Sequence, residues 1–204
     1  MKILKYLLFT LLALIALWFS FYTEPLSAKH ERVALKEYKP EQLVDHYWST
    51  DLAGLDERAL PLGDFLSRLQ ADAEALRASE GHVLGIGSNV CYVLKGEAST
   101  PTFSDDAFHF TAEGIEFTVP TKYIFGNVAR EACGWFNIDD FQNTMDFNSV
   151  SACMNQRIRE QVIADKPQHI QDYSHVRFCG AIEVQPGQSD VRALTLYPYI
   201  LEFD

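Results

Sequence analysis

Asp139, Asp140 and Asp146 fall in a short stretch that also holds Asn143 and Asn148. Oxygen-rich clusters of this kind can hold calcium, but the spacing is not that of an EF-hand and no glycine stands at the turn position. Capping helices and closing turns is the simpler use of these side chains. The histidines (His30, His46, His82, His109, His169 and His175) are scattered, and none forms an H-x-x-x-H pair. Gly85-Ile86-Gly87-Ser88 has the look of a phosphate loop but lacks the third glycine of a dinucleotide fingerprint, and no Gly-Lys-Ser/Thr follows. It precedes a strand rather than a helix, so a turn needing positive φ accounts for it. No Gly-x-Ser-x-Gly elbow occurs. No residue set therefore points to catalysis, to a metal or to a cofactor.

Cys91, Cys133, Cys153 and Cys179 include no C-x-x-C pair, so adjacent thiolates offer no zinc site. In an oxidising compartment they read as disulfides. Cys91 and Cys179 fall in predicted strands, and Cys133 and Cys153 flank one loop. The expected pairs are Cys91–Cys179 and Cys133–Cys153. Buried thiols packing as small hydrophobes are the alternative.

The elements that must position these residues follow from periodicity. Pro40-Glu41 opens a helix through His46, Tyr47 and Trp48, with proline at a first helical position. Leu62, Phe65, Leu66, Leu69, Ala73 and Leu76 recur at helical spacing over 62–78, and Gly81 lies just beyond. Strands are expected over 89–96, 107–111 and 114–119, the last two as a hairpin turning at Ala112-Glu113. Helices follow over 127–133 and 148–163, the second capped by Asn148 or Ser149. Two strands close the chain, 175–184 and 191–203, with Pro186-Gly187 between them. Pro198 inside the last strand implies an edge or a bulge. The sum is an α+β domain with a β-rich core and flanking helices.

Hydrophobic residues make up 48% of the chain and charged residues 22%, enough apolar content for one packed domain. The net charge is −11, which repels phosphate backbones and argues against nucleic acid as a partner. Lys2 and Lys5 precede an uncharged, Leu-rich run from Tyr6 to Tyr22 that ends in aromatic residues. A bilayer-spanning helix needs about 17–25 apolar residues, so this run is just long enough. Residues 1–22 therefore read as a membrane anchor, 23–39 as a tether and 40–204 as the periplasmic domain. A cleaved signal peptide is the competing reading, but Leu26-Ser27-Ala28 puts leucine where a small residue is needed. The two lysines favour an inside N-terminus, which places the domain on the periplasmic side of a bacterial inner membrane. No cysteine precedes Cys91, so lipid attachment near the N-terminus has no acceptor in this sequence.

One stretch resembles a known family. Tyr123-Ile124-Phe125-Gly126-Asn127-Val128-Ala129-Arg130 is followed by Asp139-Asp140-Phe141-Gln142-Asn143-Thr144-Met145-Asp146-Phe147 and then by Met154-Asn155-Gln156-Arg157. This order is similar to the domain of unknown function 2291 family, described as predicted periplasmic lipoproteins. Val93-Leu94-Lys95-Gly96-Glu97, Phe178-Cys179-Gly180 and 194–203 resemble that family's strands. The resemblance implies a partly open, OB-like β-barrel with helical additions, an envelope location and a link to sugar ABC transporters. The chain departs from the family in lacking the lipoprotein cysteine and in carrying Asp139 where asparagine is common. No catalytic residues carry over.

The expected function is a non-enzymatic, membrane-tethered binding or assembly module whose partner is a transporter or another envelope protein. Asn127, Arg130, Asp140, Phe141 and Asn143 are the expected binding surface, with neutralising Asp140 as the structural alternative for Arg130. An envelope hydrolase using His109 or His175 is an alternative. A sugar-binding subunit, with exposed aromatics such as Trp135 in a cleft, is another.

Overall fold

The computed structural model describes residues 39–83, 89–164, 166 and 173–204, with Tyr6 alone ahead of them. Apart from Tyr6, the 1–22 run lies outside these residues, as does the Gly85–Ser88 loop. Among the described residues no helix is long and apolar enough to cross a membrane.

Helix α1 (Pro40–Thr50) has proline in its first turn and buries Val44 and Trp48. Helix α2 (Leu52–Arg58) buries Leu55, and the short β1 (Leu60–Pro61) pairs in parallel with Leu94 and Lys95. The amphipathic stretch expected as one helix is two, α3 (Leu62–Ala71) and α4 (Ala73–Glu80). Asp72 separates them. Its backbone is extended and its carboxylate accepts from the Ala75 amide at 3.0 Å, so it caps α4 instead of continuing α3.

The sheet begins with β2 (Val90–Ser104), almost twice the length expected. Its first part pairs with β5 (His175–Val184) and its last part with β3 (Ala107–Ala112), with a register shift between Ser99 and Thr102. Strand β4 (Ile115–Pro120) pairs with β3 and alternates buried Ile115, Phe117 and Val119 with outward residues. The β2–β3 turn holds Asp105 and Asp106 at positive φ, and the β3–β4 turn holds Glu113 and Gly114 likewise. Positive φ at both central residues matches the twist of flanking strands, which fixes tight hairpins here.

The closing segment expected as one strand is broken at Leu196. Strand β6 (Ala193–Thr195) pairs in parallel with β4, and β7 (Tyr197–Phe203) pairs antiparallel with β5. One chain segment thus crosses from one end of the sheet, ordered β6-β4-β3-β2-β5-β7, to the other, and rolls it into a barrel. The crossing is tight at Gly180, where a Cβ would lie 2.8 Å from Leu196 Cδ1 and from the Tyr197 carbonyl. The β5–β7 register slips between Cys179 and Gly180, opposite Pro198, so the bulge implied by that proline is present. Phe110, Phe117 and Phe178 meet inside the barrel with ring centroids 5.1–5.4 Å apart.

Between β4 and β5 lie α5 (Val128–Cys133), a single turn at Ile138–Asp140 and α6 (Thr144–Arg157), which widens into a π-helical turn over Ile158–Ile163. Helix α6 starts earlier than expected because Asn143, not Asn148 or Ser149, is its cap. The Asn143 Oδ1 accepts from the Asp146 amide at 2.9 Å. Tyr199, turned inward at the bulge, donates to the Ala129 carbonyl at 2.5 Å and ties α5 to the barrel.

All four cysteines are free thiols, which corrects both expected disulfides. Cys91 stands opposite Glu183, and Cys179 opposite Lys95. That offset is about 13 Å along the strand at about 3.3 Å per residue, beyond the roughly 7 Å limit for bridged Cα atoms. Cys133 sits under Arg58, whose Nη2 donates to its carbonyl at 3.2 Å, whereas Cys153 lines a shallow cleft with Glu41 and Asp45 of α1.

Candidate functional site

Beyond Pro120 the chain leaves the barrel, and Thr121 Oγ1 donates to the Asp106 carbonyl at 2.6 Å. Lys122 pairs with Asp106 at 2.7 Å. The next residues alternate sharply. Ile124 is buried, while Tyr123 and Phe125 are 71% and 68% exposed, with rings stacked at 6.2 Å. Gly126 has φ +88, which turns the chain into Asn127 and α5.

This segment runs beside α6 and is fastened to it twice. Asn155 Nδ2 donates to the Gly126 carbonyl at 2.9 Å, and Arg159 Nη1 donates to the Ile124 carbonyl at 3.0 Å. The space left between them is a groove of about 500 Å³. Ile124, Phe125, Gly126 and Asn127 form one wall, and Asn148, Ser151, Ala152, Asn155 and Arg159 form the other. The α6 wall recurs at helical spacing, so one helix face is polar while Phe147, Val150 and Met154 on the other face the core.

Ser151 is 8% exposed, and its Oγ has no hydrogen-bond partner among the described residues. A serine inside a helix ordinarily bonds back to a carbonyl one turn earlier. Ser149 does so, to Asp146 at 2.6 Å, and Ser151 does not. A shielded, unpaired hydroxyl costs about 1–3 kcal/mol. Here it stands in the wall of a groove whose size falls within the roughly 300–1,000 Å³ common for small-molecule sites.

The five residues expected to form the binding surface separate. Asn127 lines the groove. Arg130 is 2% exposed, its guanidinium carbon lying 3.6 Å from the centre of the Phe147 ring. It donates to the Phe147 carbonyl at 2.9 Å, to Asn148 at 3.3 Å and to Glu131, so Glu131 rather than Asp140 neutralises it. Asp140 is exposed in the turn before α6. Phe141 packs on Phe147 at 5.1 Å, and Asn143 caps α6. Most of the motif that carried the family resemblance therefore anchors the helix that forms the groove. The site residues missed in the sequence are Phe125, Asn148, Ser151, Ala152, Asn155 and Arg159. The signal for those on α6 was polar Asn148, Ser151, Asn155 and Arg159 at helical spacing beside apolar Phe147, Val150 and Met154.

The other candidates have structural partners. Trp135 stacks on Tyr47 at 5.9 Å and touches Tyr199, so it belongs to the layer joining α1 to the barrel rather than to a cleft. His109 bonds the Ser104 carbonyl and Thr118, both at 3.3 Å. Asp146 serves the α6 cap with Asn143, and no group of three or more acidic, histidine or cysteine residues able to hold a metal occurs among the described residues.

The family of predicted periplasmic lipoproteins called DUF2291 matches residues 11–202. The chain belongs to this family. The DUF2291 description places its members in the periplasm, in agreement with the location expected from the sequence. An OB-fold protein from Thermotoga maritima superposes with a TM-score of 0.69 at 20% identity, covering 82% of this chain and 99% of that one. This likeness establishes the OB-type barrel. No curated protein matches the chain.

Proposed function

We propose that this DUF2291 protein is a non-enzymatic binding module held at the periplasmic face of the inner membrane by residues 1–22, with the 124–127/α6 groove as its ligand site. The observation that carries the reading is the unpaired Ser151 hydroxyl in a groove lined by asparagine and arginine. Buried polar atoms in native proteins almost always have partners, and a ligand seated in the groove would supply one to Ser151, the one of the unpaired buried atoms among the described residues that lines it. A saccharide suits the site. Amides and hydroxyls meet sugar hydroxyls as both donors and acceptors, and the exposed Phe125–Tyr123 pair offers a flat apolar face at the rim. An accessory role beside a sugar ABC transporter fits such a ligand and such a location.

Ala152 is exposed in the groove wall, so Ala152→Trp fills the space without entering the core. In a thermal-shift screen of saccharides with the full chain in detergent, at least one compound raises the melting temperature of the wild type and leaves Ala152→Trp unmoved. Equal stabilisation of both proteins would remove the groove as the site.

A further inference from the structure

We infer that the ligand of the groove carries an oxyanion, a carboxylate or phosphate, which docks on Arg159. This rests on the reading of the groove as a saccharide site and adds a charge to its ligand. The chain has 28 acidic residues against 17 basic ones, yet among the described residues no acidic one lines the groove. Among the described residues Arg159 is the only cation in its walls, is half-buried and pairs with no carboxylate. By contrast Arg130, Arg157 and Arg177 each have an acidic partner. Only Nη1 of Arg159 is engaged, by the neutral Ile124 carbonyl. The remaining guanidinium donors form a planar fork suited to bidentate oxyanion binding. The wall from Asn148 to Arg159 spans about 16 Å at about 1.5 Å of rise per helical residue. It is neutral at the Asn148–Ser151 end and cationic at the other, which orients an elongated ligand with its acidic group toward Arg159.

The acidic surface of the protein opposes an anion at long range. That repulsion is screened beyond about 8 Å at physiological ionic strength, whereas a guanidinium–oxyanion pair acts at contact in a partly desolvated cleft. The local pair therefore decides affinity, and the global charge lowers only the rate of arrival.

The test is titration calorimetry on the full chain in detergent with two matched disaccharide pairs, lactose against lactobionate and trehalose against trehalose 6-phosphate. The acidic member of at least one pair is expected to bind about 10–100-fold more tightly than its neutral counterpart. The pair that responds distinguishes carboxylate from phosphate. Arg159→Gln lowers the affinity for the acidic member to that for its neutral counterpart. Arg159→Lys keeps part of the preference. Equal affinity for acidic and neutral members overturns the inference and leaves the groove reading standing. No binding of any member overturns both. Undiminished binding to Ala152→Trp moves the site elsewhere and overturns the inference as well.

Discussion

Arg130 shows how a charged residue can be read two ways from sequence. Beside Asp139 and Asp140 it looked like part of a surface, yet its guanidinium lies between the Phe147 ring and Glu131 inside the domain. Removing one partner of a buried ion pair strands the other, at a cost of about 3–5 kcal/mol. Arg130→Ala is expected to lose about that much in urea unfolding of the domain. A loss below 1 kcal/mol would show that Arg130 does not brace α6. The thiols make a second case at this scale. Burial pushes Cys91, Cys133 and Cys179 up to about 12, while Cys153 is only half-buried and its rise is smaller. Native labelling with maleimide at pH 8 should modify Cys153 first and leave the other three until unfolding. A mass map without reductant should show no cysteine cross-link. His82 gives a pH signature. Its pKa is lowered by burial first and by Arg58 second. The unfolded state then takes up a proton more readily than the folded state. The His82 contribution is therefore intact above its ordinary value of about 6.5 and is lost as pH falls through the lowered folded value. His82→Gln should flatten that part of the stability profile, and an unchanged slope would assign it to other groups. Arg130's acidic partner Glu131 is its sequence neighbour, but the burial of Arg130 depended on a contact with Phe147 of α6 that no local pattern encodes.

At the scale of elements, the strands with clean alternation were legible. Strand β5 matches its expected limits, and the β3–β4 hairpin is one residue out of register at its turn. Three elements were misjudged for identifiable reasons. Asp72 ended a helix because an aspartate cap outcompetes one more helical residue. Strand β2 continued through Gly96 and Pro101 because pairing with both β5 and β3 outweighs their low strand preference. The last strand broke at Leu196 because it changes partners there, a tertiary event without a local signal. The barrel closure this creates can be tested at Gly180. A methyl group there meets backbone atoms of Tyr197 and Pro198, which cannot swing aside. Gly180→Ala should destabilise the domain by about 1–3 kcal/mol through overpacking. A neutral effect would mean that the β5–β7 crossing is looser than described.

For the whole molecule, the residue pattern indicated an α+β domain with a β-rich core and flanking helices, the family resemblance implied an OB-like barrel, and the fold agrees with both. The groove was only half legible: Asn127 was marked, while its partners on α6 were read as an ordinary helix. The two walls are far apart in the chain, from Ile124–Asn127 to Asn148–Arg159, and only packing brings them together. The proposed membrane tether predicts that the full chain stays in the membrane pellet after alkaline carbonate extraction, and that deleting residues 1–22 releases it. The central claim is that the groove holds a ligand. Native mass spectrometry tests it most directly, on full-length wild type and Ala152→Trp equilibrated with a low-molecular-weight periplasmic extract. The account predicts a discrete added mass on the wild type that is absent from Ala152→Trp, with the variant's stability changed by less than about 0.5 kcal/mol. A bare wild type, or the same added mass on both proteins, would contradict it.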